Sequence, residues 1–130
     1  MKNLFTLLIT SFLLSYSGNL KAQDFIALLE KADYKTLSVH MDDEVNVEIN
    51  RDRQTLNRGD AIAKVRSKLK RFSPVKWEAM HQGKADNKED NYLITKVYNS
   101  KDEGLRIFIH IEEIDGHKKI CSIRFRKLLR

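Results

Sequence analysis

From Val75 onward the chain is almost all alternation, in four stretches: Val75 to Gln82, Tyr92 to Tyr98, Leu105 to Glu113 and His117 to Lys127. Turn signals at Gly83 to Lys88, Asn99 to Gly104 and Asp115-Gly116 part them. A period of two sends successive side chains to opposite faces of a strand, and such short connections favour antiparallel neighbours. Leu105, Ile107, Ile109 and Ile111 form one apolar row, Cys121, Ile123 and Phe125 a second, and Trp77, Ala79 and His81 a third. The opposite face is mixed: Arg106, Phe108, His110 and Glu112 on one strand, Lys118, Ile120, Ser122, Arg124 and Arg126 on the next.

Apolar rows of this length need a cover, and the N-terminal half supplies it. Phe25, Ile26, Leu28, Leu29 and Ala32 recur at helical spacing, which predicts a first helix with Asp24 as N-cap. Asp33 caps a second, short helix with Tyr34, Leu37 and Met41 along one stripe, ending before Asp42 and Asp43. Val45, Val47 and Ile49 then alternate with Glu44, Asn46, Glu48 and Asn50 as a half-wet strand, and the polar cluster Asn50 to Gln54 makes its turn. Asn57 to Phe72 returns to helical spacing, with Ala61, Ile62, Val65, Leu69 and Phe72 on one side. Lys64, Lys68 and Arg71, joined by Arg66 and Lys70, make the other side cationic, and Pro74 prevents the helix from running on. The expected class is α+β, three N-terminal-half helices packed on a curved antiparallel sheet.

Lys2, the apolar run Leu4 to Leu14 and the closing Leu20, Lys21 and Ala22 read as a secretory signal peptide over residues 1–22, too short to span a membrane as a helix. The cut is expected between Ala22 and Gln23, with Ser17 as runner-up, and the mature chain is expected in the periplasm or secreted. Residues 23–130 are enough for one domain and not for two. Of 24 basic and 18 acidic residues only Lys2 and Lys21 leave with the signal, so the mature excess is four positive charges, a balance that speaks for solubility. A single cysteine, Cys121, rules out an intramolecular disulfide, so the core must rest on apolar burial.

The order helix, helix, strand, helix, four long strands resembles the nuclear transport factor 2-like cone, related in shape to the cystatin fold. The exported start, Met41-Asp42-Asp43 leading into Val45 and Val47, His81-Gln82-Gly83, Arg106-Ile107-Phe108 and the Asp115-Gly116 hairpin together resemble small exported bacterial proteins grouped as domain of unknown function 4783. That resemblance implies a cone-shaped domain, exported by bacteria with two membranes, and no established activity. The fold hosts enzymes and binding modules alike, so function must be read from the residues.

His81, on the inward phase of Trp77 and Ala79, could serve as base, acid or ligand donor, or sit in the core bonded to a backbone carbonyl. Proton abstraction in such a cone needs an inward carboxylate, and the acids are expected elsewhere. Glu44 and Glu48 alternate away from Val45 and Val47, Glu78 and Glu112 belong to the outer face, and the others lie in turns or at element ends. No catalytic residue is therefore assigned. No metal is expected from His40, His81, His110 and His117, which lack paired spacing, and no cofactor from five scattered glycines. Cys121 is expected as a buried small residue rather than a nucleophile.

Two binding readings follow. In one, the cone holds a small apolar ligand against Tyr34, Trp77 and His81. In the other, Met80, Arg106, Phe108, His110, Ile120 and Arg124 pair the sheet's outer face with a copy of itself or with another envelope protein. An enzyme of the isomerase or dehydratase type using His81 is the alternative. Nucleic acid is disfavoured: the basic helix and the tail Arg124, Arg126, Lys127 and Arg130 contain no recognised reading motif.

Overall fold

Local side chains start and stop the helices. The computed structural model describes residues 22–84 and 90–128, beginning with α1, Ala22–Glu30. The helix begins ahead of Asp24, which lies in the first turn, where its carboxylate suits the positive end of the helix dipole, and is not the N-cap. Asp33 does cap α2, Tyr34–Val39: its carboxylate accepts from the Thr36 amide at 3.3 Å and from the Thr36 hydroxyl at 2.8 Å. Met41 belongs to no helix; it opens strand β1, Met41–Ile49, which also takes in Asp42 and Asp43.

β1 turns at Asn50 and Arg51, whose φ values of 52° and 71° make the two-residue connection that matches strand twist. The chain returns at once as β2, Asp52–Asn57, paired antiparallel to β1 from Ile49 opposite Asp52 to Glu44 opposite Asn57. Residues 52–54 are thus strand where a longer turn is expected from their polarity. β2 is an edge strand, exposed along nearly its whole length, so no apolar row marks it. Asn57 caps α3, Arg58–Phe72, accepting from the Asp60 amide at 2.8 Å, and Ser73, left-handed at φ 54°, ends it ahead of Pro74.

β3, Pro74–Lys84, β4, Asp90–Asn99, β5, Gly104–Ile114, and β6, His117–Lys127, follow as an antiparallel meander. Gly83 and Lys84 belong to β3 rather than to a turn, and the rest of that connection lies outside the described residues. At the last turn Asp115 and Gly116 both take positive φ, a conformation Gly116 adopts without steric cost. The sheet order is β2-β1-β6-β5-β4-β3, and β1 runs parallel to β6, which makes the six-stranded sheet mixed rather than wholly antiparallel.

Three helices pack on one face of this curved sheet. Phe25 and Leu29 of α1, Leu37 of α2 and Ala61, Val65 and Leu69 of α3 meet Val45 and Val47 of β1, Leu93 and Val97 of β4, and Leu105, Ile107, Ile109 and Ile111 of β5. Each fully buried side chain of this size contributes roughly 1.5–3 kcal/mol before entropy is counted. The alternation fails at one point on β6. A bulge there leaves Ile111 opposite Ile120 and His110 opposite Ser122, with Cys121 as the extra residue. Ile120 is turned into the core, fully buried, and Cys121 is half-exposed, the reverse of what strict alternation assigns. No helix among the described residues is long and apolar enough to cross a membrane.

Candidate functional site

A hollow of about 660 Å³ opens where α1, α2, the end of α3 and the start of β3 meet. Helix ends build it: the first turn of α2 presents Tyr34, the last turn of α3 presents Leu69 and Lys70, and Pro74 starts the strand that brings Trp77 in from the sheet. Leu29 and Leu69 form its floor, the partly buried Tyr34 and Trp77 its apolar walls, and Glu30, Asp33, Lys35, Arg66, Lys70 and Ser73 its polar border. A second hollow of about 520 Å³, lined by Ile62, Ala63 and Ser67, shares Tyr34, Lys35, Arg66 and Lys70 with the first. Burial raises the Tyr34 hydroxyl above its ordinary pKa, against a smaller opposing pull from the Arg66 charge, so the phenol stays protonated and able to donate. Asp33 is occupied with capping α2.

Tyr34 and Trp77, expected to line one pocket, are thus brought together. The side chains of His81 and Met80 lie outside the described residues, as does that of Ala79. Arg66 and Lys70 border the hollow although helical spacing marks them only as part of a cationic face; the signal that could have found them is their place around Leu69, one turn before it and the residue after it.

The opposite face of the sheet is a different environment. Arg106, Phe108, His110 and Arg124 lie on it as alternation expects. Ile120 does not, because the Cys121 bulge turns it inward, and the outer-face interface loses that residue. The guanidinium of Arg124 sits 4.9 Å from the Phe108 ring centroid and that of Arg106 5.9 Å from it, and His110 stacks on Tyr92 at 4.6 Å with planes 10° apart. Glu48 is on this face, as expected, but buried: its carboxylate lies 3.7 Å from Arg53 Nε and 3.6 Å from Arg126 Nη2. Arg53, Tyr92, Phe108, His110 and Arg124, with Asn46 and Ser122, surround a cleft of about 270 Å³.

Two further titratable candidates, His40 and Cys121, carry shifts set mainly by burial. His40 is edge-on to Phe25, ring centroids 5.6 Å apart, and burial pulls its imidazole below the usual range. Burial first, then the Glu112 carboxylate, pushes the Cys121 thiol up to about 12, the opposite of an activated nucleophile. Among the described residues no group of three or more His, Cys, Asp or Glu side chains could hold a metal ion.

Residues 22–126 match the model of a family described as Domain of unknown function (DUF4783). A DUF4783 family protein from Bacteroides ovatus is similar in structure with a TM-score of 0.74 at 19% identity, over 87% of this chain and 99% of that one. A protein called Rd1NTF2_04 with long sheet aligns at TM-score 0.62 and 18% identity, over 82% of this chain and 100% of its own. A protein of unknown function with a cystatin-like fold from Nostoc punctiforme aligns at 0.62 and 11% identity, over 82% and 85%. The fold is thus nuclear transport factor 2-like and cystatin-like, as the element order implies. None of the curated proteins matches the chain.

Proposed function

The chain belongs to the family Domain of unknown function (DUF4783), and on that scaffold we infer a non-catalytic binding module whose hollow takes a small ligand with an apolar body. One observation carries this reading: two aromatic side chains distant in sequence, Tyr34 and Trp77, converge with Leu29 and Leu69 on a hollow of about 660 Å³. Ligand sites typically run to roughly 300–1,000 Å³ with apolar walls and a few oriented polar groups. The Tyr34 hydroxyl is such a group, and Arg66 and Lys70 favour a ligand whose polar end is neutral or acidic.

The same reading has the protein exported, on the strength of Lys2, the Leu4 to Leu14 run and Ala22, and working as the single unit 23–130. Mass measurement of the mature N-terminus tests export: a chain starting at Gln23 supports it, and a retained Met1 contradicts it.

Trp77 is the only tryptophan and reports on the hollow directly. Titration with fatty acids, sterols and polyphenols, read by intrinsic fluorescence and thermal shift, is expected to give saturable changes that weaken in Tyr34→Phe and Arg66→Gln. Unchanged fluorescence and melting temperature across all three classes would mean that the hollow is a surface dent filled by water. Pairing of the outer faces of two copies has less support, since Ile120 is in the core and Arg106, Arg124 and Arg126 would meet their own kind.

A further inference from the structure

The cleft on the outer face is remote from the hollow and rests on a different set of side chains. Strand register assembles it. Arg53 lies opposite Glu48, Glu48 beside Arg124, and Arg124 opposite Phe108, while the neighbouring row runs Asn46, Ser122, His110, Tyr92. One further step along, Arg106 faces Arg126 across the β5–β6 pair. Like charges directly opposite are destabilising in a sheet, so the Arg106–Arg126 pair, on a face that also carries Arg53 and Arg124 and has Glu48 as the one acid between them, calls for an explanation beyond stability. Glu48 offsets one of the four positive charges through Arg53 and Arg126, and among the described residues no ion pair reaches Arg106 or Arg124. Phe108 holds the Arg124 head group against the cleft wall. Asn46 accepts from the Thr55 hydroxyl at 2.7 Å, which fixes its amide with the nitrogen left to donate.

We propose that this cleft binds the phosphate group of a small phosphate monoester, held by Arg53 and Arg124 with Asn46 and Ser122 as neutral donors. Guanidinium forks match tetrahedral oxyanions, and two arginines in the cleft lining, with Arg106 and Arg126 one step beyond, suit a dianion better than a single carboxylate. At about 270 Å³ the cleft takes the phosphate and part of one ring, and Tyr92 and Phe108 in its lining offer that ring apolar contact. A second copy of the chain would bring arginines onto arginines, so charge complementarity selects a small acidic ligand over self-pairing.

The test uses the full chain in about 0.15 M NaCl, where loose surface electrostatics are screened. Inorganic phosphate, glucose 1-phosphate, glucuronate and glucose are titrated in turn, read by amide chemical-shift changes and calorimetry. Saturable one-to-one binding of inorganic phosphate or glucose 1-phosphate, with shifts centred on Asn46, His110, Ser122 and Arg124, is expected. Glucose 1-phosphate binding more tightly than phosphate marks the ester as the ligand, and equal affinities mark the free anion. Arg124→Gln and Arg53→Gln should each weaken binding about tenfold or more, whereas Arg71→Gln on α3 should not. Arg53 lies on the exposed edge strand, so its variant keeps the test usable if Arg124→Gln folds poorly. Tighter binding of glucuronate, shifts spread over every basic surface, or affinities unchanged in both arginine variants would overturn the proposal.

Discussion

The two faces of one sheet obey different rules. Toward the helices β5 presents Leu105, Ile107, Ile109 and Ile111, all buried, while its other side presents Arg106, Phe108 and His110, none fully buried. The inner face stabilises by removing apolar area from water. The outer face gathers arginines, stacked rings and one buried acid, an arrangement that does little for stability and leaves polar groups ready for a ligand. Stability and recognition are thus divided between alternate residues of the same strands.

The division can be broken first where it should be strongest. Ile107→Ala is expected to cost about 2–5 kcal/mol by denaturant unfolding, and Phe108→Ala, one residue on, less than half as much; equal costs would erase the distinction between the faces. Glu48→Gln sharpens it. Its partners Arg53 and Arg126 are 61% and 52% exposed, so solvent screening keeps the loss to about 1 kcal/mol or less. Because the variant leaves the arginines uncompensated, the loss should shrink as salt rises; a larger, salt-independent loss would make Glu48 part of the fold's support.

The smallest effect lies at the bulge. With its thiol pushed up to about 12, Cys121 favours the folded state in full below the unfolded value of about 8.5, and that contribution is lost as pH climbs from there toward about 12. At pH 8 its thiolate should be scarcer than that of a free cysteine by on the order of a thousandfold, so alkylation should be correspondingly slow. Fast alkylation at neutral pH would contradict a thiol held in its protonated form.

Much of this was legible in the alternation. The three helices and the faces of β5 follow from apolar periodicity, and Asp33 announces a helix start by its side-chain oxygens. β2 was not legible, because an edge strand wet on both sides carries no apolar period, and its tight turn uses Arg51 at positive φ instead of the usual glycine. With β2 hidden, Arg53 could not be placed opposite Glu48. The Cys121 bulge was equally hidden: one extra residue reverses every side chain beyond it, and only the pairing of β5 with β6 reveals it. Tyr34 and Trp77 were legible as a pair, since both lie on the inward phase of their elements, while the row from Asn46 to Tyr92 depends on the register of four strands that no local pattern specifies.

The division of labour between the faces is tested most directly by unfolding the double variant Arg53→Gln, Arg124→Gln beside the parent chain at low salt. The predicted stability lies within about 1 kcal/mol of the parent, as expected for mainly surface charges, because relief of arginine crowding offsets the lost stacking on Phe108. A loss of several kcal/mol would mean that the outer face holds the sheet together, and the account given for it would be wrong.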